Sequence, residues 1–376
     1  MVLKIVVVCV VVVLGVGDVT PALVNPVQDS NPQPREWPCP DETDFLPCTC
    51  TSNQQTDLKI DCSGVKSNLE LQRVFTSIFP FTDFLELRIV QDPYDDAYDL
   101  NTLDPFVFAG LSFERVIIQG TKIKEVNEQV FTDSHNHLNY LNLANNDIYD
   151  FPFETIQLYT RLANLILDDN NLITLPNIVS TTLQSISVSG NSNLQFKANV
   201  FNNASMLSRI SLARNNIQEF PQHVFQNLDY VAIVDLSGNE MTFVNEFTFD
   251  PPRETLLQIS LDNNKIDLVH YNSIKGLMAG AHVSLAGNQI IYLQEVFYKP
   301  ILDQLPSGSL DLSRNPLLCG CDIHWLYPSD PSPYLSIITD TTKCYDGTLI
   351  HYLIPSYFAL QCPAYTTVAP KGPKKH

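Results

Sequence analysis

The chain has 376 residues and carries 41 acidic against 22 basic side chains, a formal net charge of −19. That balance argues against nucleic acid as a partner, and solubility in an extracellular fluid is its plainest explanation. A chain of this length ordinarily divides into two domains, unless it is an array that grows along one axis.

Residues 1–17 read as a secretory signal peptide. Lys4 precedes the apolar run 5–14, and small residues follow at Gly15 and Gly17. The run is too short to span a membrane. Residues 18–38, with Pro21, Pro26, Pro32 and Pro34, read as a disordered mature N-terminus. Export sets the reading of the nine cysteines. Cys9 lies in the leader. Cys39, Cys48, Cys50 and Cys62 form one group, and Cys319, Cys321, Cys344 and Cys362 another. In an oxidising compartment each group makes two disulfides, with three connectivities open to it. Zinc is the rival reading of C-x-C pairs, and the compartment disfavours it.

Residues 39–81 read as a cysteine-rich cap with a strand over 58–62. Leu71, Val74, Phe75 and Ile78 have helical spacing. Residues 82–316 follow as about ten repeats. The clearest is LSRISLARNNIQEFP, residues 207–221. Leu207, Ile210, Leu212, Asn215, Ile217 and Phe220 give the spacing L-x-x-L-x-L-x-x-N-x-L of a leucine-rich repeat. Ile210 and Leu212 alternate onto one face of a short strand. Asn215 sits where the chain leaves the strand, and its amide can bond backbone groups that the turn leaves open. One such unit cannot bury its apolar face alone, but a stack can.

The strand cores are Leu87/Ile89, Val116/Ile118, Leu141/Leu143, Leu165/Leu167, Ile186/Val188, Ile210/Leu212, Val234/Leu236, Ile259/Leu261, Val283/Leu285 and Leu310/Leu312. Their first members are spaced by 29, 25, 24, 21, 24, 24, 25, 24 and 27 residues. Turn asparagines keep step at 146, 170, 191, 215, 239, 264, 288 and 315, with Asp92 and Thr121 in the first two slots. A second column, Phe108, Phe131, Phe201, Phe225, Phe249 and Phe297, fills the far side of each turn. The expected fold is a horseshoe-shaped solenoid. It has one short parallel strand per repeat on the concave face and an irregular or 3₁₀ convex side. Residues 317–363 read as a second cysteine-rich cap and 364–376 as a disordered tail with no apolar anchor.

Two surfaces are candidates for function. On the concave face the central outward column is Arg88, Ile117, Asn142, Ile166, Ser187, Ser211, Asp235, Ser260, Ser284 and Asp311. Ten strands span an arc of roughly 45 Å, enough for a small protein domain. Arg88, Arg115, Ile117 and Tyr140 are expected contact residues in the N-terminal half, since Tyr and Arg anchor interfaces. Asp235, Asp262, His282 and Asp311 are their counterparts in the hydroxyl- and acid-rich C-terminal half. Crowding on a concave face also favours small side chains whatever binds there. The second surface is the inserted loop QDPYDDAYDLNTLD of the first repeat, which reads as a solvated acidic loop rather than a calcium site.

Catalysis finds no support, and no cofactor is expected. There is no G-x-S-x-G and no phosphate loop. A group such as Ser260, His282 and Asp311 would sit on open, solvated strands, a poor place to position a triad. The pair His135 and His137 lacks a third ligand. The one sequon, Asn203-Ala204-Ser205, would place a glycan away from the concave face.

The run CPDETDFLPCTC, followed by LKIDCSG, resembles the cysteine-rich N-terminal flank of extracellular leucine-rich-repeat proteins, and NPLLCGCDIHWL the C-terminal flank. The resemblance implies the pairs Cys39–Cys50, Cys48–Cys62, Cys319–Cys344 and Cys321–Cys362, with Trp325 packed under the second cap. Over PCTCTSNQQTDLKIDCSG, LQRVFTSIFPFTDFLELRI, FERVIIQGTKIKEVNEQVF and LNYLNLANNDIYDFPFE the chain also looks like a group of secreted arthropod leucine-rich-repeat proteins. That group is similar to the non-catalytic leucine-rich-repeat subunit of Oplophorus luciferase. This resemblance implies a protein-binding scaffold that supports a small light-emitting catalytic subunit and performs no oxidation itself. The alternative reading is an extracellular matrix or innate-immune recognition protein for glycans or foreign surfaces. That role wants exposed aromatic platforms, and the concave face offers only Tyr140.

Overall fold

In the computed structural model the residues described are 38–53, 57–328, 332–356, 358 and 362. The expected leader (1–17), the expected disordered N-terminus (18–38) except its last residue, and the expected disordered tail (364–376) lie outside them.

The N-terminal part begins with a one-turn helix, α1 (Glu42–Phe45), whose Asp41 cap accepts the Thr43 N–H. The hairpin β1 (Thr49–Ser52) and β2 (Leu58–Asp61) follows. Next comes α2 (Asn68–Phe75), which takes in Leu71, Val74 and Phe75 of the expected helical spacing, while Ile78 lies beyond its end and is exposed. Ser67 caps it by accepting the Glu70 N–H, and Leu71 and Val74 are its buried residues. Phe45, Phe75, Phe79, Phe84 and Phe108 then meet edge to face or stacked, and so join this region to the first repeat.

Each repeat core forms a strand: β3 (Asp83–Val90), β4 (Ser112–Gln119), β5 (Tyr140–Asn142), β6 (Asn164–Ile166), β7 (Ser185–Ser187), β8 (Arg209–Ser211), β9 (Ile233–Asp235), β11 (Leu256–Ser260), β13 (Leu277–Ser284) and β14 (Ser309–Asp311). With β1 and β2 they make one sheet in the order β1-β2-β3-β4-β5-β6-β7-β8-β9-β11-β13-β14. Only β1–β2 is antiparallel. Alternation puts Leu87, Val116, Leu141, Leu165, Ile186, Ile210, Val234, Ile259, Val283 and Leu310 on the inner face, every one buried.

The turn asparagines are buried, and each points backward. Asn215 Nδ2 donates to Val188 O (3.0 Å), and its Oδ1 accepts the Asn191 N–H (2.7 Å). Asn239 does the same for Leu212 O and for the N–H groups of Asn215 and Ile217. From Asn146 to Asn315 every amide closes backbone groups of the preceding repeat. Asp92 bonds only locally, to the Tyr94 N–H, and Gln91 Nε2 makes the backward bonds to Ser63 O and Val65 O. Thr121 is buried and donates to Asn146 Oδ1.

The phenylalanine column stacks where repeats are near 24 residues long. Phe225 and Phe249 lie 5.5 Å apart at 14°, and Phe108 and Phe131 5.9 Å apart at 14°. Ile156 and Ile178 take its place in the repeats between Phe131 and Phe201, where the spacing shrinks to 21 residues. Phe297 is only partly buried, on the irregular side. That side adds what periodicity did not show. β10 (Phe243–Val244) pairs with β12 (Leu268–Val269) as a second small parallel sheet, and α3 (Glu295–Leu302) makes two turns.

Four disulfides join Cys39–Cys50, Cys48–Cys62, Cys319–Cys344 and Cys321–Cys362. At the C-terminal end Leu310 bridges to Ile338 and Leu317 to Cys344, so chain beyond the last repeat covers its edge. Among the described residues no helix is long and apolar enough to cross a membrane.

Candidate functional site

The outward side chains of the sheet fall into columns fixed by strand register. Arg88, Ile117, Asn142, Ile166, Ser187, Ser211, Asp235, Ser260, Ser284 and Asp311 pair in that order from β3 to β14. A neighbouring column runs Glu86, Arg115, Tyr140, Asn164, Ser185, Arg209, Ile233, Gln258, His282 and Ser309.

In the N-terminal half these columns bring together a connected group. Arg115 Nε lies 3.3 Å from Glu86 Oε2, and the guanidinium centre sits 4.2 Å from the Tyr140 ring centroid. Tyr140 OH accepts from Asn142 Nδ2 (3.2 Å), and Asn142 Oδ1 accepts from Gln119 Nε2 (3.2 Å). The Arg115 fork is thus oriented by a carboxylate on one side and an aromatic face on the other. Its Nε is engaged, and its terminal N–H donors remain available to a partner. Arg88 lies beside it with a looser ion pair to Asp61, 3.8 Å from Nε. Ile117 and Ile166 supply partly exposed apolar surface between the polar groups. Glu86, Gln119 and Asn142 were not among the expected contacts. The signal for them was there, since each occupies an outward strand position next to Arg115 or Tyr140.

The C-terminal half is different. Asp235 Oδ1 accepts the Ser237 N–H, and Asp311 Oδ1 accepts the Ser313 N–H and Thr339 Oγ1. Asp262 accepts the Ala286 N–H and Ser284 Oγ. Asp168 does likewise with the Ser189 N–H (2.7 Å) and Ser187 Oγ (2.6 Å), and burial raises its pKa. These carboxylates lie on the exposed face, but they tie strand ends and adjacent repeats together. His282 Nδ1 contacts Ser309 Oγ (2.7 Å) and not Ser260, so Ser260, His282 and Asp311 form no relay.

The inserted loop is held by its own acids. Asp92 and Asp95 accept the Tyr94 and Ala97 N–H groups, and Leu100 is buried beneath. Asn68 at the start of α2 bonds Asn101 and Thr102. Tyr94 is 92% exposed, the one large side chain the loop holds out. Among the described residues no group of three or more His, Cys, Asp and Glu is placed to hold a metal. His135 packs edge-on against Tyr159 at 4.7 Å, and burial lowers its pKa despite the opposing charge of Asp133. Asn203 is exposed on the irregular side, where its carbonyl accepts the Ser180 N–H.

Backward-bonding asparagines, a parallel sheet with one strand per repeat and disulfides near both ends define a leucine-rich-repeat solenoid. Solved structures share that fold. A chain of the octameric complex of Latrophilin 3 (Lec, Olf), Unc5D (Ig, Ig2, TSP1) and FLRT2 (LRR) superposes with a TM-score of 0.61 at 17% identity, covering 84% of this chain and 99% of that one. The APL1 leucine-rich repeat domain does so with a TM-score of 0.50 at 20% identity, covering 66% and 59%. Over 149 residues the sequence is 33% identical to the Oplophorus-luciferin 2-monooxygenase non-catalytic subunit of Oplophorus gracilirostris. The chain is a homologue of that subunit over the matched stretch, which is 39% of this chain and 40% of the relative. No protein-family model matches the chain.

Proposed function

We propose that this chain is a secreted, non-catalytic scaffold that binds a protein partner across the N-terminal half of its sheet. The observation that carries the reading is the Glu86–Arg115–Tyr140 stack. It holds a guanidinium fork at fixed orientation on an open face, flanked by Ile117 and Ile166. Arginine and tyrosine fixed in this way lose little freedom on binding and are the side chains that dominate interface energies. The partner we assign is a small light-emitting catalytic subunit. Support for that identity comes from the homologue, whose name is that of the non-catalytic subunit of a luciferin monooxygenase. A glycan at the exposed Asn203 would leave the sheet face open.

The test is co-purification from native secretions, followed by binding measurements on variants. A stoichiometric small partner that oxidises a luciferin with light emission is expected. Arg115→Ala and Tyr140→Ala should each weaken that complex by about tenfold or more, the range of an interface hot spot, with the melting temperature unchanged. Recovery of the chain alone overturns the partner assignment. Loss of stability without loss of affinity overturns the site.

A further inference from the structure

A second hollow lies between α3 and the C-terminal disulfide region. Its volume is about 820 Å³, and its lining includes Gln294, Glu295, Asp322, His324, Trp325 and Tyr334. The floor is rigid. Trp325 Nε1 donates to Leu293 O (2.7 Å), and its ring meets Tyr334 at 5.5 Å and 61°. Tyr334 OH donates to Asp303 Oδ1 (3.1 Å), and Asp322 Oδ2 accepts the Leu293 N–H (2.8 Å). The Cys321–Cys362 disulfide anchors the segment that carries Asp322, His324 and Trp325. The walls are polar and exposed at Gln294, Glu295 and His324.

We infer that this groove binds a neutral, β-linked pyranose chain. Such sugars carry equatorial hydroxyls and a flat C–H face, so they stack on an aromatic ring while their rims bond to carboxylates and amides. The groove pairs those two kinds of surface, with the Trp325 ring as the stacking face, Tyr334 set edge to face against it as a buttress, and Gln294, Glu295 and Asp322 around them. Charge excludes the acidic alternatives. Glu295 and Asp322 would repel a uronic or sulfated sugar, and the one nearby ammonium, Lys299, is paired with Asp303 at 2.8 Å. The rings also make a poor cage for a cation. They meet edge to face, and Lys299 already sits 5.6 Å from the Tyr334 centroid. The aromatic platform that the sheet face lacks is thus supplied here. This site is independent of the partner assigned to the sheet.

The chain has two tryptophans, Trp37 and Trp325. A Trp37→Phe variant therefore reports the groove alone by fluorescence. Titration with hexasaccharides of β-linked glucose and of β-linked N-acetylglucosamine should give a saturable shift in Trp325 emission with at least one of them. In that background Glu295→Gln and Tyr334→Ala should weaken binding at least about tenfold. Glu295→Gln alters no residue of the groove floor and keeps the test valid if Tyr334→Ala lowers the melting temperature. Three outcomes overturn the inference: no shift with either sugar at about 10 mM, a shift that Glu295→Gln leaves unaltered, or a stronger response to an arginine ester or an oligogalacturonate.

Discussion

Single residues carry the solenoid through hydrogen bonds that reach across repeats. Asn215 is fully buried and serves the Asn191 N–H and Val188 C=O. Asn215→Ala strands the Asn191 N–H, a buried group whose loss of a partner costs about 1–3 kcal/mol, and leaves Val188 C=O with Asn191 Nδ2 as its remaining side-chain donor. Chemical denaturation should show a loss of about 1–3 kcal/mol. Gly190 has φ of +70°, and a Cβ there would come within 2.2 Å of Asp169 Oδ1. The reason lies two repeats apart, where Arg214 reaches back over Gly190 to Asp169 at 3.0 Å. Gly190→Ala should cost about 1–2 kcal/mol from the left-handed backbone alone, and Asp169→Ala should relieve part of any further loss in a double-mutant cycle. Asp168 gives a pH signature. Burial raises its folded pKa above the unfolded value, so the native state holds the proton more tightly. Its contribution to stability is therefore greatest below the unfolded pKa and falls as pH rises through the folded one. Asp168→Asn keeps an acceptor for Ser187 and Ser189. It should stabilise the protein at neutral pH, with the gain vanishing in acid melts. The turn asparagines were legible because the 24-residue step repeats. The acid roles were not. The alternation placed Asp235, Asp262 and Asp311 on the right face, but no spacing shows that a carboxylate is already bonded to the next turn.

The elements divide into those that repeat and those that end the array. The ten repeat strands followed from the alternation of two apolar residues, and the α2 helix from the spacing of Leu71, Val74 and Phe75. The small β10–β12 sheet and α3 did not, since they belong to the irregular side, where each repeat closes differently. The same limit applied to the groove beside α3. Trp325 was legible as a packing residue, but its pairing with Tyr334 depends on a fold between them that carries no period. The ends rest on covalent links. Leu310 and Leu317 are covered by strand-like contacts to Ile338 and Cys344, in a region closed by Cys319–Cys344 and Cys321–Cys362. Removing a disulfide of this kind costs about 2–5 kcal/mol. Reduction of all four should lower the melting temperature by more than about 10 °C, read by calorimetry with and without reductant. An unchanged melt would show that the terminal regions stand without them.

At the scale of the whole molecule, stability is a sum over neighbouring repeats. Val188 and Leu212 present the same backbone groups to the asparagine that follows. Excising residues 213–236, one 24-residue step, therefore brings Asn239 to the place of Asn215. That chain should fold with a single cooperative melt close to the parent's, whereas excision of half that length should give an aggregating product. Circular dichroism and sedimentation distinguish the two. The backward-pointing asparagines have a consequence for synthesis. From the second repeat onward each turn leaves a buried N–H that the next asparagine satisfies and a C=O that takes a further donor from it, so the growing chain presents its unfinished surface at the end nearest the ribosome. Until Ile338 and Cys344 have emerged, the newest repeat is an adhesive edge, and the danger of misassociation lasts for nearly the full time of translation.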